Sequence, residues 1–276
     1  MNNNIKITVL GTGTSVGIPA LGQLGWGKCD PSNPKNKRQR CAVLIQSKNT
    51  TILVDAGPDI KNQLIEHNIQ KLDAVLITHS HSDHVSGLDE LRPFYFYNRE
   101  KIKIFTNKEN SNIKPKNTDF TKELFEDLEK LKEWPEKVKT MQKNWIGISK
   151  GVEIHFDIID NSEKIKIFTN NETSSFLLKR FNYLFNKSET SQSYFQPPLE
   201  LHEIDYFEEI TINDIKINTI KQNHGVIDTL GFIFNDVFAY CTDVVSFPEK
   251  SFRFLNKLKV LIITGLRQSP HMAHAH

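Results

Sequence analysis

Three histidines and one aspartate crowd into six residues of this sequence. His79, His81, Asp83 and His84 lie just after the apolar segment 73–77. Neutral imidazoles and carboxylates are side chains that bind Zn²⁺ and related divalent ions. With this alternating spacing, His79 and His81 can bind one ion. Asp83 and His84 can then reach a neighbouring ion, and two ions can share a bridging hydroxide, a strong nucleophile near neutral pH.

The alternative interpretation of this run is a set of solvated loop histidines. The strand-like segment before it, its spacing and two later candidate ligands, His224 and Asp243, favour a metal site instead. Three further histidines stand alone in the sequence and are interpreted as ordinary surface or partly buried residues: His67, His155 and His202.

Strand-like segments at both ends of the chain must position these residues. Apolar patterns predict strands at 5–10, 41–46, 51–54, 73–77, 210–220, 230–234, 237–241 and 258–263, and a helix at roughly 59–68. The segment 73–77 is almost wholly apolar, which is typical of a strand buried on both faces. Strands at both ends with helices between them predict a layered α/β or α+β sandwich.

The composition fits a soluble globular chain of 276 residues, 38% of them hydrophobic and 25% charged. A net charge of +2 gives no argument for nucleic-acid or membrane binding. No apolar run reaches membrane-spanning length and no secretory signal is recognisable. The three cysteines are too few and too far apart for a disulfide framework, so we predict a cytoplasmic protein.

Several motifs together resemble the metallo-β-lactamase superfamily. The likeness rests on Gly11-Thr12-Gly13, Leu53-Val54-Asp55-Ala56-Gly57, the histidine run with Gly87-Leu88 after it, His224-Gly225 and Tyr240-Cys241-Thr242-Asp243. The sequences of these motifs are similar to those of the cyclic-phosphate phosphodiesterase branch of phosphonate catabolism. The likeness covers about 1–107 and 168–276, and it implies an αββα sandwich for this discontinuous domain.

The resemblance implies two divalent metal ions, zinc or else manganese. Their ligands would be six side chains: His79, His81, Asp83, His84, His224 and Asp243. The first ion would be bound by His79, His81 and His224. The second would be bound by Asp83 and His84, and Asp243 would bridge the two. Asp55 would support a ligand histidine from behind. Asp83 and His274 would be catalytic, since His274 is the best match to a histidine that serves as acid or orienter beside the phosphate.

Two features depart from the family pattern. Family members continue past the position of His276 with a last strand, a helix and one more ligand histidine. We therefore expect a C-terminally incomplete domain whose second ion lacks a ligand unless His276 substitutes for it. Relatives often carry a cysteine cluster for a structural zinc, but only Cys29 stands at that place, so we predict no structural zinc.

The middle of the chain predicts a mostly helical insertion at 108–167, with a charged helix from Thr121 to Lys132. It is bracketed by a perfect repeat, because Lys-Ile-Lys-Ile-Phe-Thr-Asn occurs at 101–107 and again at 164–170. Leu124 to Ile167 resembles a fragment of leucyl-tRNA synthetase without its nucleotide-binding motifs. The repeat is then the seam between two genes, and no aminoacylation is expected.

The leading hypothesis is a phosphodiesterase that acts on a small cyclic phosphate or nucleotide. The alternatives are a thioester or lactam hydrolase with the same metal pair, and an inactive chimeric or decayed gene product. The nearly balanced charge argues against a tRNA nuclease, which needs Lys and Arg to bind phosphates. We expect a small phosphodiester as the substrate and no membrane partner, and a homodimer is possible because relatives are often dimers.

Overall fold

The computed structural model describes residues 5–97, 101–106, 144–149, 152–159, 164–186, 197–265 and 272–274. The chain divides into two compact units. The first unit comprises Met1–Tyr95, Lys164–Asn186 and Pro197–His276, and the second comprises Phe96–Glu163 and Lys187–Gln196. These limits differ from the predicted 1–107, 108–167 and 168–276: the first copy of the repeat falls in the second unit, and the second copy falls in the first unit.

The strands of the described residues are β1 (Lys6–Gly11), β2 (Ala42–Gln46), β3 (Thr51–Val54), β4 (Ala74–Leu76), β5 (Lys101–Thr106), β6 (Asn144–Ser149), β7 (Val152–Ile159), β8 (Ile165–Thr169), β9 (Leu199–Glu203), β10 (Glu209–Ile212), β11 (Ile215–His224), β12 (Ile227–Phe234), β13 (Phe238–Cys241) and β14 (Val260–Ile263). The α-helices described are α1 (Ile60–Glu66), α2 (Ser82–Val85), α3 (Arg92–Tyr97), α4 (Asn171–Phe185) and α5 (Glu249–Leu255).

The first unit contains two β-sheets. One has the order β1-β2-β3-β4-β8-β9, with antiparallel pairing from β1 to β3 and parallel pairing from β3 to β9. The other has the order β10-β11-β12-β13-β14, in which only the β13–β14 pair is parallel. The predicted strands 230–234 and 237–241 form a hairpin around Asn235-Asp236, and both of these residues have positive φ, as a two-residue hairpin turn requires.

Alternating apolar side chains stack these sheets and helices into layers. Val43, Ile45 and Leu76 of the first sheet pack against residues such as Phe232 and Phe234 of the second sheet. The opposite face of the first sheet packs against α1 and α4 through a core that includes Leu44, Ile60, Val75, Ile167 and Leu177. The outer face of the second sheet packs against α5 and the segment after it, through Ile220, Ile233, Ala239, Phe254 and Leu255. The layer order is the predicted αββα.

The second unit contains a sheet of three strands in the order β5-β7-β6, paired antiparallel throughout. The described part of the predicted insertion is therefore strand. The predicted charged helix, Thr121 to Lys132, lies outside the described residues. Among the helices that the structure describes, none combines the length and the apolar character needed to cross a membrane.

Candidate metal centre

The histidine run lies where β4 ends, between the two sheets of the first unit. The Leu230 N–H of β12 donates to the Thr78 carbonyl at 3.0 Å, which ties the start of the run to the second sheet. His81 then precedes α2, whose first turn carries Asp83 and His84. The helix approaches the segment after β3 so closely that a Cβ on Gly57 would lie 2.0 Å from the Asp83 carbonyl oxygen. Glycine is therefore required at position 57.

Asp55 organises the run from beneath. It is fully buried at the end of β3 and has a φ of 63°, a left-handed conformation that is unusual for a residue other than glycine. Its Oδ1 accepts from the Thr78 N–H at 2.9 Å, and its Oδ2 lies 2.7 Å from His84 Nδ1. A carboxylate accepts only, so His84 donates from Nδ1. The other ring nitrogen, Nε2, is left to face the site.

One group of donor atoms comprises His79, His81, His224 and Asp243, whose ligand atoms all lie within 4.8 Å of one another. His79 Nε2 lies 2.9 Å from His81 Nδ1 and 3.5 Å from Asp243 Oδ2. His224, at the end of β11, brings its Nε2 to 3.7 Å from the same carboxylate oxygen. The fold thus brings His79 and His81 together with two residues that lie more than 140 positions later in the sequence, His224 and Asp243.

A second donor group comprises Asp83, His84 and Asp243. His84 Nε2 lies 3.4 Å from Asp83 Oδ2 and 3.3 Å from Asp243 Oδ2. Asp243 therefore belongs to both groups. Its φ is 49°, and its backbone N–H donates to Thr264 Oγ1 at 2.9 Å, which fixes the carboxylate between them.

The electrostatics of these side chains suit a divalent cation. Burial and the neighbouring His84 charge hold the pKa of His79 well below its usual value, and burial and His224 lower the pKa of His81. Both imidazoles are thus neutral, as metal ligands must be. Burial opposes a charge on His84, but Asp55 and Asp243 outweigh it and raise its pKa well above normal. Burial likewise raises the pKa of Asp243, but His84 outweighs it, so Asp243 stays ionised. The donor set fits two metal ions.

The donor atoms open into a pocket of about 370 Å³. Its walls combine the glycine-rich turn from Gly11 to Ser15 with apolar side chains of β1 and β14, among them Val9 and Ile262. His274 also lines it, with Nδ1 at 3.8 Å from Asp243 Oδ1 and its ring 4.9 Å from that of His224. The structure therefore brings every predicted site residue to one place.

Cys41 opens the segment 41–46 that the sequence predicts as a strand, where a lone thiol is more often a small core residue, but the structure places it at the pocket. The thiol is half-buried, lines the same pocket and donates to the Gly13 carbonyl at 3.3 Å. Burial raises its pKa to about 11, so it stays protonated and is a poor metal ligand. The sequence places Cys41 within the predicted strand 41–46, which gave no signal of this exposure to the pocket; the observed strand begins one residue later, at Ala42.

The histidines interpreted as lone stay outside both donor groups where they are described. His67 Nδ1 lies 2.9 Å from the Gln63 carbonyl at the end of α1, and His202 stacks on Phe168. The side chain of His155 and the residues His271 and His276 lie outside what the structure describes. The sequence analysis missed three groups that hydrogen-bond to site residues, because none is a usual metal ligand. Thr78 contacts Asp55, Thr264 contacts Asp243, and the Ala273 carbonyl contacts His224.

Two family profiles match this chain. One, described as "Anti-Pycsar protein Apyc1", matches residues 24–114, and the other, a "Beta-lactamase superfamily domain", matches residues 154–276. Among solved structures, a diphosphatase from the PhnP family is 25% identical, with a TM-score of 0.66 over 98% of this chain and 77% of its own. The metallo-beta-lactamase fold protein YhfI from Bacillus subtilis is 16% identical, with a TM-score of 0.50 over 93% of this chain and 70% of its own. The predicted fold is confirmed.

The inserted segment matches a different protein. A leucine–tRNA ligase of Photorhabdus laumondii is 62% identical over 52 residues, which are 19% of this chain and only 6% of the ligase. This match confirms the predicted likeness of the insertion to leucyl-tRNA synthetase. At 6% of its length, the match carries over nothing of what the whole ligase does.

Proposed function

We propose that this chain is a metallo-β-lactamase superfamily hydrolase that acts on a small cyclic phosphate or nucleotide diester; the superfamily profile over residues 154–276 and the likeness to the PhnP-family diphosphatase support this. The observation that carries this proposal is the position of Asp243 in both donor groups. The two donor groups would hold two ions, and Asp243 offers a ligand atom to either group. When bound, the ions supply Lewis acidity and the hydroxide nucleophile.

The chain's own residues then have distinct tasks. His79, His81 and His224 would bind the first ion, and Asp83 and His84 would bind the second. Asp55 accepts a hydrogen bond from His84 Nδ1 and so turns Nε2 toward the second ion. That ion would take the place of the Nε2 proton that the raised pKa of His84 retains. Asp83 also faces the reacting centre from the start of α2. His274 lines the pocket beside Asp243 and gives its proton to the leaving-group oxygen, as a general acid does.

The pocket favours a small diester over a nucleic acid. A space of about 370 Å³ accepts a ligand of mononucleotide size. Among the described residues that line it, none is Lys or Arg, whereas a polyanionic nucleic acid needs several such contacts. The imidazole-rich donor set favours zinc, with manganese as the alternative. We further propose a cytoplasmic setting, no membrane partner and a homodimer.

The test is turnover of bis(p-nitrophenyl) phosphate by the metal-loaded chain, with metal content measured on the same sample. We expect two ions per chain and a rate that falls at least about 100-fold in His81→Ala. His67→Ala is the matched control, because His67 is a histidine outside both donor groups, and it should keep the wild-type rate.

Other outcomes would select the alternatives. Turnover of a thioester or a lactam, but not of the diester, would replace the phosphodiesterase by another hydrolase with the same metal pair. A wild-type chain with one ion or none, and a rate no higher than that of His81→Ala, would identify an inactive chimeric gene product.

A further inference from the structure

We propose that the segment Met272–His274 is a positioning element of the first metal site, acting on His224 through the Ala273 carbonyl, with Gly225 as the residue that admits it. This inference rests on the proposed two-metal function. It concerns a contact between two parts of the chain that are about 50 residues apart. The group that contacts His224 is a backbone carbonyl and not a side chain.

The contact fixes which nitrogen of His224 is free. His224 Nδ1 hydrogen-bonds to the Ala273 carbonyl oxygen. A carbonyl oxygen can only accept, so the proton resides on Nδ1 and the lone pair on Nε2. Nε2 is the nitrogen that faces Asp243 Oδ2, 3.7 Å away. The Ala273 carbonyl thus does for His224 what the Asp55 carboxylate does for His84.

His224 has few other means of holding this orientation. It is 3% exposed and its ring lies 5.3 Å from that of His79, 5.2 Å from that of His81 and 4.9 Å from that of His274. These neighbours present imidazole edges and faces, which do not choose one tautomer. A hydrogen bond from the second nitrogen is the usual way in which a metal-bound histidine is oriented.

Gly225 makes the approach of the segment possible. Its φ is +73°, and a Cβ at this position would lie 2.8 Å from the Met272 carbonyl oxygen and 3.4 Å from Ala273 Cα. Real Cβ atoms do not come this close to backbone oxygen, so a larger residue must push the segment away. The absence of a side chain at Gly225 therefore leaves room for the backbone of Met272 and Ala273, which orients His224.

The chain offers a matched control for Gly225→Ala. Gly22 has a similar φ of +66°, but a Cβ there would meet nothing within 4 Å. Both substitutions carry the same kind of backbone strain. Only Gly225→Ala adds a collision with Met272. A difference between the two variants therefore reports the lost contact.

The experiment is a titration of each metal-free variant with Co²⁺, followed by visible absorption, which reports the ligand field directly and needs no substrate. We expect Gly225→Ala to bind the first ion about 10–100-fold more weakly and with an altered spectrum. Gly22→Ala should match wild type in both. In the zinc-loaded wild type, the His224 Nδ1–H should also be visible by NMR as a slowly exchanging proton.

A second variant keeps the test sharp if Gly225→Ala folds poorly. Deleting residues 272–276 removes the Ala273 carbonyl without strain at Gly225, and it should weaken the first site to the same extent. Because the deletion also removes His274, His274→Ala is its control and should bind Co²⁺ with wild-type affinity. Wild-type affinity and spectrum in this deletion would overturn the inference. A wild type that binds two ions but does not hydrolyse the diester would instead refute the proposed function and leave the inference standing. A wild type that binds no Co²⁺ would overturn both.

Discussion

Two aspartates with left-handed backbones hold the site at the residue scale. Asp55 has a φ of 63° and Asp243 a φ of 49°, and each follows the end of a strand. Strained residues of this kind persist where the surrounding contacts over-determine them. At Asp55 those contacts are Thr78 and His84, and at Asp243 they are Thr264 and the histidine cluster. The strain is thus located at the two carboxylates that orient or bridge the metal ligands.

Asp55→Asn separates the charge of this residue from its shape. Asparagine tolerates positive φ and keeps the size of the side chain, so folding should survive. Because an amide is a weaker acceptor for His84 Nδ1 than a carboxylate is, we expect the second ion to bind about 10–100-fold more weakly. The first ion should be unaffected, since no ligand in its group contacts Asp55 directly. Stepwise titration with Co²⁺ measures both affinities, and equal losses at both sites would contradict this assignment.

The ligand residues could be predicted because most of them are neighbours in sequence, where their spacing is visible. His224 and Asp243 could be predicted only as motifs of a resembled family. The Ala273 carbonyl and Thr78 could not, because a backbone oxygen carries no residue-type signal and threonine is common everywhere. Contacts made across long sequence separations through ordinary groups become apparent only in the fold.

At the element scale, β8 is central to the first sheet. It lies between β4 and β9, and its register places Val75 opposite Ile167. Ile165 and Ile167 enter the core beneath α4, while Phe168 packs toward the other sheet. The same five residues, Ile-Lys-Ile-Phe-Thr, also lie in β5, in a different sheet of the second unit. Local sequence therefore sets the strand conformation of both copies, and tertiary context decides which sheet each one joins.

Matched substitutions in the two copies of the repeat test whether each copy contributes to the stability of its own unit only. Ile167→Asp puts a carboxylate at a fully buried position of the first unit, and we expect a loss of about 4 kcal/mol or more. Ile104→Asp is the same change at the corresponding position of β5. Ile104→Asp should leave the unfolding transition of the first unit unchanged. That transition is identified by its stabilisation on metal binding, because the donor residues belong to the first unit. Denaturant unfolding with and without zinc measures both variants. Equal destabilisation by the two would mean that the units do not fold separately, and no effect of Ile167→Asp would mean that the first copy replaces β8.

Alternating apolar segments predicted most strands of the first unit to within a few residues. Among the described elements, those left unassigned were β8, β9 and the helices α2 to α5. The strand β9 reads Leu-Glu-Leu-His-Glu, too short and too polar to distinguish from a loop. The helix α4 carries Thr, Ser and Asn in its first half and buries Thr173 and Ser174, so apolar residues mark only the second half of its inward face, from Leu177 to Phe185. Burial of small polar residues is decided by packing, which a periodicity argument does not include.

At the scale of the whole molecule, the perfect repeat makes the insertion separable. Deleting residues 101–163 and deleting residues 108–170 give the same chain, since the copies are identical. In that chain β4 still connects to a strand of the β8 sequence through residues 77–100, which include α2 and α3. Parallel neighbours need a crossover of a dozen or more residues, and this connection suffices. Every donor of both metal groups is retained.

We therefore expect the shortened chain to fold and to bind two metal ions as the full chain does. Loop-closure entropy changes by only about 0.6 kcal/mol for each doubling of length, so shortening the β4–β8 connection by nearly two doublings should stabilise the fold by about 1 kcal/mol. Thermal unfolding and Co²⁺ absorption check these expectations. Deleting residues 101–170 is the control, because it removes both copies and leaves Val75 and Leu76 without the strand that pairs with β4. A shortened chain that loses cooperative unfolding, while the full chain keeps it, would show that the synthetase-like segment is an integral part of the hydrolase fold.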